Sequence, residues 1–326
     1  MMKSTLRLDY GTISGSVRGI ETKFTITQDE AYDYKIAHDD FDPDIVFPQM
    51  MQVADQLQDI LQSSLSSEQE TACEKHILEC LTRMVYGSNM IEHAGAGLEI
   101  TWKLCMKVFK GEPVLEDIGE RDEDRREIIQ HAKAAAFMIT ECYLHDKELS
   151  QEIILETHRI LCYKVDAESA PWETYSGAFR SVDVSAGFHT FPPPKLIPSK
   201  MKDMIHQLDS DLKQACQSGD IGPVMLSAKY THIFVNIHPF LDGNGRLCRL
   251  ILNTMLLKYG SFIISLGGYG KGRQIYNEVA ANESTLEDTY DGREEEKKPV
   301  MHKELASLVL SHAKLSLGKL IKAISK

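Results

Sequence analysis

The chain has 326 residues and carries 36 Lys and Arg against 48 Asp and Glu, a formal net charge of −12. That length allows two domains, or one large domain with a subdomain, and the 43% hydrophobic and 26% charged fractions exclude wholesale disorder. The acidic total argues against nucleic acid and against an anionic membrane surface as partners, while leaving room for a local anion site.

The seven cysteines are an odd number and fall mostly in apolar, helix-like segments. They read as reduced, buried thiols, which suits a cytoplasmic protein and leaves the nucleus open. Cys73, His76 and Cys80 lack a second Cys/His pair at ligand spacing, so no zinc site is expected. Met1–Tyr10 holds no apolar run of signal-peptide length, and nothing reaches the roughly 18 uninterrupted apolar residues of a membrane span.

Residues 1–48 read as an arm with a short strand, because Phe24 and Ile26 alternate with Thr25 and Thr27. Asp39, Asp40, Asp42, Pro43 and Asp44 predict an acidic turn. From about Pro48 the apolar spacing turns helical, through Met50, Val53, Leu57, Ile60 and Leu61. A helix capped at Ser66 or Ser67 follows, with Glu68 and Glu70 in its first turn, and runs to about 86 or beyond. Further helices are predicted over about 98–110, 122–144, 149–163, 199–216, 222–237, 244–258, 271–282 and 302–324. Between 165 and 198, glycines and prolines surround Phe179, Val182 and Val184, which predicts a hairpin and then an extended Pro segment. The polar stretch 284–300 reads as an exposed loop. The fold class is mainly α, with one small β-hairpin.

One segment carries chemistry. A helix should end near His238, because Pro239 disfavours helix at the residue before it, and a second helix should start near Asn244. Between them Asp242-Gly243-Asn244-Gly245 forms a tight turn that lets a ligand approach the backbone. The free N–H groups of the second helix favour an anion, with Arg246 and Arg249 on one face beside them. Asp242 adds a metal carboxylate suited to Mg²⁺, and His238 a neutral imidazole able to accept a proton. Together these point to phosphoryl or nucleotidyl transfer. Phe240 reads as a core anchor for the loop.

The run His238-Pro-Phe-Leu-Asp-Gly-Asn-Gly-Arg-Leu-Cys-Arg249 resembles the Fic-domain motif HPFxDGNGRxxR at every defining position. The resemblance covers roughly 80–285 and implies an all-helical Fic core that transfers AMP from ATP to a protein Ser, Thr or Tyr hydroxyl. It implies His238 as base, Asp242 as Mg²⁺ ligand, Gly243, Asn244 and Gly245 as a phosphate cradle, and Arg246 and Arg249 as phosphate ligands. Tyr276 and Asn282 lie at about the distance where the family contacts adenine or ribose.

Residues 86–93, Tyr-Gly-Ser-Asn-Met-Ile-Glu-His, are similar to the family's inhibitory motif, with Ser88 and Glu92 in place and His93 departing from the final position. A Glu on a helix that reaches Arg249 would occupy the arginine the γ-phosphate needs. Tyr175–Val184 and Phe188–Pro194 resemble the Fic flap, so Gly177, Phe179, Arg180, Ser181 and Val182 are expected to dock a target's backbone.

The expected organisation is an arm (1–48), a helical region with the inhibitory helix at about 80–93 (49–115), a Fic core (116–285), and a polar loop with a C-terminal helix (286–326). The expected activity is an autoinhibited protein adenylyltransferase using ATP and Mg²⁺ on a hydroxyl-bearing protein, with a homodimer as a family expectation. The alternatives are removal of AMP from a modified protein and a non-catalytic nucleotide-binding regulator.

Overall fold

In the computed structural model, residues 21–22, 43–61, 65–114, 122–186, 189–268, 270–289 and 301–325 are described. The chain enters α1 at Pro43 and runs to Leu61. This corrects the expected start near Pro48. A proline in the first helical position has no N–H to lose and its φ is preset, so Pro43 opens the helix and Pro48 sits inside it. The part of the expected acidic turn that is described, Pro43 and Asp44, is therefore helical. The expected strand around Phe24–Thr27 and residues 290–300 of the loop expected over 284–300 lie outside the described residues, while 284–289 are helical rather than loop, because they continue the last helix before that gap, which ends at Thr289.

Helix α2 (Ser67–Ile91) opens with a capping box: Gln69 N–H donates to Ser66 Oγ, and Ser66 N–H donates to Gln69 Oε1. It then holds its α-helical register five residues past 86. Most of the remaining helices follow as expected to within a few residues: α3 (Leu98–Phe109), α4 (Glu123–Ile139), α5 (Gln151–Leu161), α7 (Ile197–Ser218), α8 (Pro223–Ile237), α9 (Asn244–Gly260) and α11 (Lys303–Ile324), whereas the single turn α6 (Trp172–Tyr175) is not among the expected helices and α10 (Gly272–Thr289) runs seven residues beyond its expected end at 282. A π-helical turn, Thr140–Leu144, prolongs α4.

The described strands are two residues each. β1 (Glu21–Thr22) pairs in parallel with β4 (Asp220–Ile221), and β2 (Ser185–Ala186) pairs antiparallel with β3 (His189–Thr190). The hairpin thus lies later than Phe179 and Val182 suggested, and residues 177–184 form the irregular approach to it.

Helix α9 is buried on every side, and α8 packs along it to form the centre of the molecule. Helices α2, α4 and α5 also pack on α9, while α11 packs against α1, α2, α8 and α10. One apolar cluster runs from Val46 to Ile324, with Tyr230, Phe234 and Phe240 fully buried in it. This packing fixes the α8–α9 turn against the ends of α2, α4 and α10. Cys216 is exposed and Cys80 half-buried, and the other five cysteines are buried, all as free thiols. No described helix is long and apolar enough to cross a membrane.

Candidate functional site

Helix α8 ends at His238, which adopts a left-handed conformation (φ 47°) before Pro239. That turn carries the imidazole into a cavity of about 950 Å³ lined by Glu92, Glu127, Phe191, Asp242, Arg246, Arg249 and Tyr276 among others. His238 Nδ1 lies 3.1 Å from the Val235 carbonyl oxygen. A carbonyl can only accept, so Nδ1 carries the hydrogen and Nε2 keeps its lone pair. The ring stacks on Phe191 with centroids 3.8 Å apart. Burial lowers its pKa to about 4, and the Arg180 charge adds to this against the Val235 bond and Glu92. The imidazole is therefore neutral at pH 7.

The turn that follows is built by its own residues. Asn244 is buried and spans the loop twice: Phe240 N–H donates to Oδ1 at 3.0 Å, and Nδ2 donates to the Phe240 carbonyl at 2.8 Å. Its side chain is thus committed to the loop, and its backbone is what remains for a ligand. Gly243 has φ 77°, where an L side chain is strained. No side chain caps α9, so the first N–H groups of the helix point toward the cavity as an anion site.

Two arginines flank that helix start. Arg246 donates to Glu127 Oε1 at 3.1 Å and to Asp242 Oδ2 at 3.2 Å. Its buried Nε has no hydrogen-bond partner. Arg249 donates from Nε to Ser88 Oγ at 2.8 Å, and from Nη2 to the Ser88 carbonyl at 3.1 Å and to Glu92 Oε1 at 2.6 Å. Its guanidinium lies 5.4 Å from the Tyr276 ring centroid. Burial works to raise the Glu92 pKa, but the charge and hydrogen bond of Arg249 outweigh it and hold the carboxyl below its usual value. Glu92 lies across Gly245: a Cβ there would come within 2.1 Å of Glu92 Oε1.

The structure brings His238, Asp242, Gly243, Asn244, Gly245, Arg246, Arg249, Tyr276 and Glu92 to one cavity, with Ser88 directly behind Arg249. Asn282 is not among the lining residues. Its amide nitrogen faces Glu304 of α11, and Asn277, Ala280 and Ala281, earlier in α10, line the cavity instead. The flap residues also divide. Gly177 N–H donates to His158 Nδ1, Phe179 packs on Phe240, and Arg180 is buried with its guanidinium on three carbonyls. These three hold the loop from within, because they precede the hairpin rather than form it. Ser181 and Val182 remain on the surface.

Sequence reasoning missed His158, Glu127 and the stacking role of Phe191. His158 Nδ1 accepts from Gly177 N–H at 2.9 Å, so its Nε2 carries the hydrogen and donates to the Asp242 carbonyl at 2.9 Å. Its ring stacks on Phe240 at 3.7 Å. The signal was faint, a histidine on the apolar face of α5 beside Ile154 and Leu161. Glu127 accepts from Gly95 N–H at 2.8 Å and from Arg246. It joins the turn after α2 to Arg246, and nothing in its local sequence marks it.

A family model described as Fic/DOC matches residues 148–256, which hold both α8 and the α8–α9 turn. Over these residues the chain matches a Fic domain. The protein adenylyltransferase Fic of Drosophila grimshawi is 34% identical over 142 residues, 44% of this chain and 27% of that protein. A Fido domain-containing protein of Dictyostelium discoideum is 37% identical over 84 residues, 26% of this chain and 56% of that protein. The chain thus spans about a quarter of the length of the adenylyltransferase relatives it matches. Among solved structures, a Fic domain containing signaling protein from Bacteroides thetaiotaomicron superposes with a TM-score of 0.66 at 19% identity, over 85% of this chain and 98% of that one. Fic-1 from C. elegans gives 0.62 at 21% identity, over 86% and 73%. These likenesses establish that the all-helical Fic fold extends across most of the chain, well beyond residues 148–256.

Proposed function

We propose that the chain is a protein adenylyltransferase that moves AMP from ATP to a hydroxyl of a target protein and is held back by Glu92. The observation that carries this reading is the placement of His238. Its unprotonated Nε2 belongs to the cavity into which α9 directs free N–H groups and its two arginines.

In this reading the α- and β-phosphates rest on the first N–H groups of α9, and the unpartnered Nε of Arg246 supplies a further donor. The target hydroxyl attacks the α-phosphorus while its proton passes to His238 Nε2. The bond from the α-phosphorus to the bridging oxygen breaks, and pyrophosphate leaves. Arg249 receives the γ-phosphate once Glu92 has let go of it.

The donor set fits Mg²⁺. Among the described residues no group of three or more His, Cys, Asp or Glu is placed to hold a metal. Asp242 offers a single half-exposed carboxylate at the cavity, and Mg²⁺ takes one or two carboxylates together with nucleotide phosphates and water. Bound there, it would neutralise charge on the phosphates.

A second reading is favoured by the presence of the Glu92 carboxylate in the same cavity as His238. Glu92 could orient water to remove AMP from a modified protein. The two readings separate on one comparison. Incubation with ATP labelled at the α-phosphate should label protein more strongly with Glu92→Gly, and His238→Ala should abolish the label. Release of AMP from a modified target, lost with Glu92→Gly, would favour the second reading.

A further inference from the structure

The end of α2 is gripped from the far side of the cavity. An α-helix leaves its last carbonyls without partners and presents a negative dipole end, which a cation stabilises. Helix α2 has no basic residue in its last turn. The cation comes from α10 instead: Arg273 Nε donates to the Ile91 carbonyl at 3.0 Å, and Arg273 Nη1 lies 3.2 Å from His93 Nδ1. An arginine has no acceptor, so His93 Nδ1 is the accepting nitrogen. His93 itself holds φ 56°, a left-handed conformation uncommon for a residue other than glycine. The two contacts bracket Glu92. Arg273 lies in the first turn of the helix that brings Tyr276, Asn277 and Ala280 to the cavity.

We propose that Arg273 is a positioning residue for Glu92. By clasping Ile91 and His93 it sets where α2 ends, and so keeps the Glu92 carboxylate within reach of Arg249. It also ties that carboxylate to α10, so that movement of α10 is felt at the inhibitory contact. The inference rests on the proposed autoinhibition. It assigns the latch to a residue outside the inhibitory helix and outside the motif.

The test compares labelling from α-labelled ATP by wild type, Glu92→Gly, Arg273→Met and the double variant, alongside amide hydrogen exchange over residues 88–95. A hydrogen bond to a charged group contributes about 1.5–3 kcal/mol, so Arg273→Met should raise labelling about tenfold or more. Exchange over 88–95 should quicken, and the double variant should label no more than Glu92→Gly alone. A merely structural residue would lower labelling when removed. Labelling by Arg273→Met at or below wild type, while Glu92→Gly is raised, overturns the proposal. If Glu92→Gly is itself not raised, autoinhibition fails, and exchange then decides: wild-type rates in Arg273→Met overturn the latch, and faster rates uphold it. Should Arg273→Met fail to fold, Arg273→Gln, whose shorter side chain cannot span both contacts, is read in the same way.

Discussion

Glu92 Oε1 lies 2.6 Å from Nη2 of Arg249, a residue 157 positions later in the chain. With the hydroxyl and carbonyl of Ser88, it gives one buried guanidinium three acceptors, all from the last turns of α2. A phosphate that is to bind Arg249 must displace the carboxylate, since both are anions and the cation is one. Glu92→Gly should therefore raise transfer by about ten- to a hundredfold, the equivalent of roughly 1.5–3 kcal/mol for a charge-assisted bond. Labelling at wild-type level in that variant would remove Glu92 from control.

His238 is neutral over most of the working range because burial lowers its pKa to about 4. The form that accepts a proton is the neutral one, so the transfer rate of the Glu92→Gly variant should stay flat from pH 8 to about 5. It should fall as the pH drops through about 4. His238→Ala should lose about 10²- to 10⁴-fold at pH 7. A rate that falls between pH 7 and 6 would show a base other than this one.

How far the sequence discloses this site depends on which interactions are local. His238, Asp242, Gly243 and Arg249 lie within one turn and one helix start, so their spacing along the chain already fixes their neighbourhood. The helices were equally legible, since capping at Ser66 and apolar periodicity are local signals. Ser88 and Glu92 were legible only through resemblance, because nothing local says that α2 ends beside α9. The flap was misplaced by a few residues because Phe179 alternates with polar neighbours as a strand would, yet its ring serves the Phe240 cluster. His158 and Glu127 were illegible. His158 acts through two backbone groups, of Gly177 and Asp242, and Glu127 through the Gly95 N–H and the Arg246 side chain, all outside their own helices, so no local pattern marks these roles.

His158 should contribute to how stability depends on pH. Folding lowers its pKa from 6.5 to about 4, chiefly by burial. The unfolded chain thus binds a proton more readily, so the stabilising contribution is full above about pH 6.5 and is lost as the pH falls toward 4. Between pH 7 and 5 this amounts to about 2 kcal/mol for this histidine. His158→Gln should flatten the dependence by that much in urea unfolding at the two pH values. An unchanged slope would contradict the assignment.

Arg180 donates to the carbonyls of His238, Val182 and Pro192 at 2.7, 2.8 and 2.7 Å. Arg180→Met leaves all three acceptors without their donor and should cost about 3 kcal/mol in urea unfolding. Arg180→Lys should recover little of it, because a single ammonium cannot reproduce the fork. Wild-type stability in the lysine variant would show that charge alone suffices.

In the proposed enzyme a nucleotide, a base and an internal inhibitor share one cavity. Mass spectrometry of the Glu92→Gly protein after incubation with ATP and Mg²⁺ tests it most directly. The proposed function predicts a mass gain of one AMP unit on protein, absent from the Glu92→Gly/His238→Ala double variant and weak in wild type. No AMP adduct in Glu92→Gly, or an equal one when His238 is removed, would contradict it.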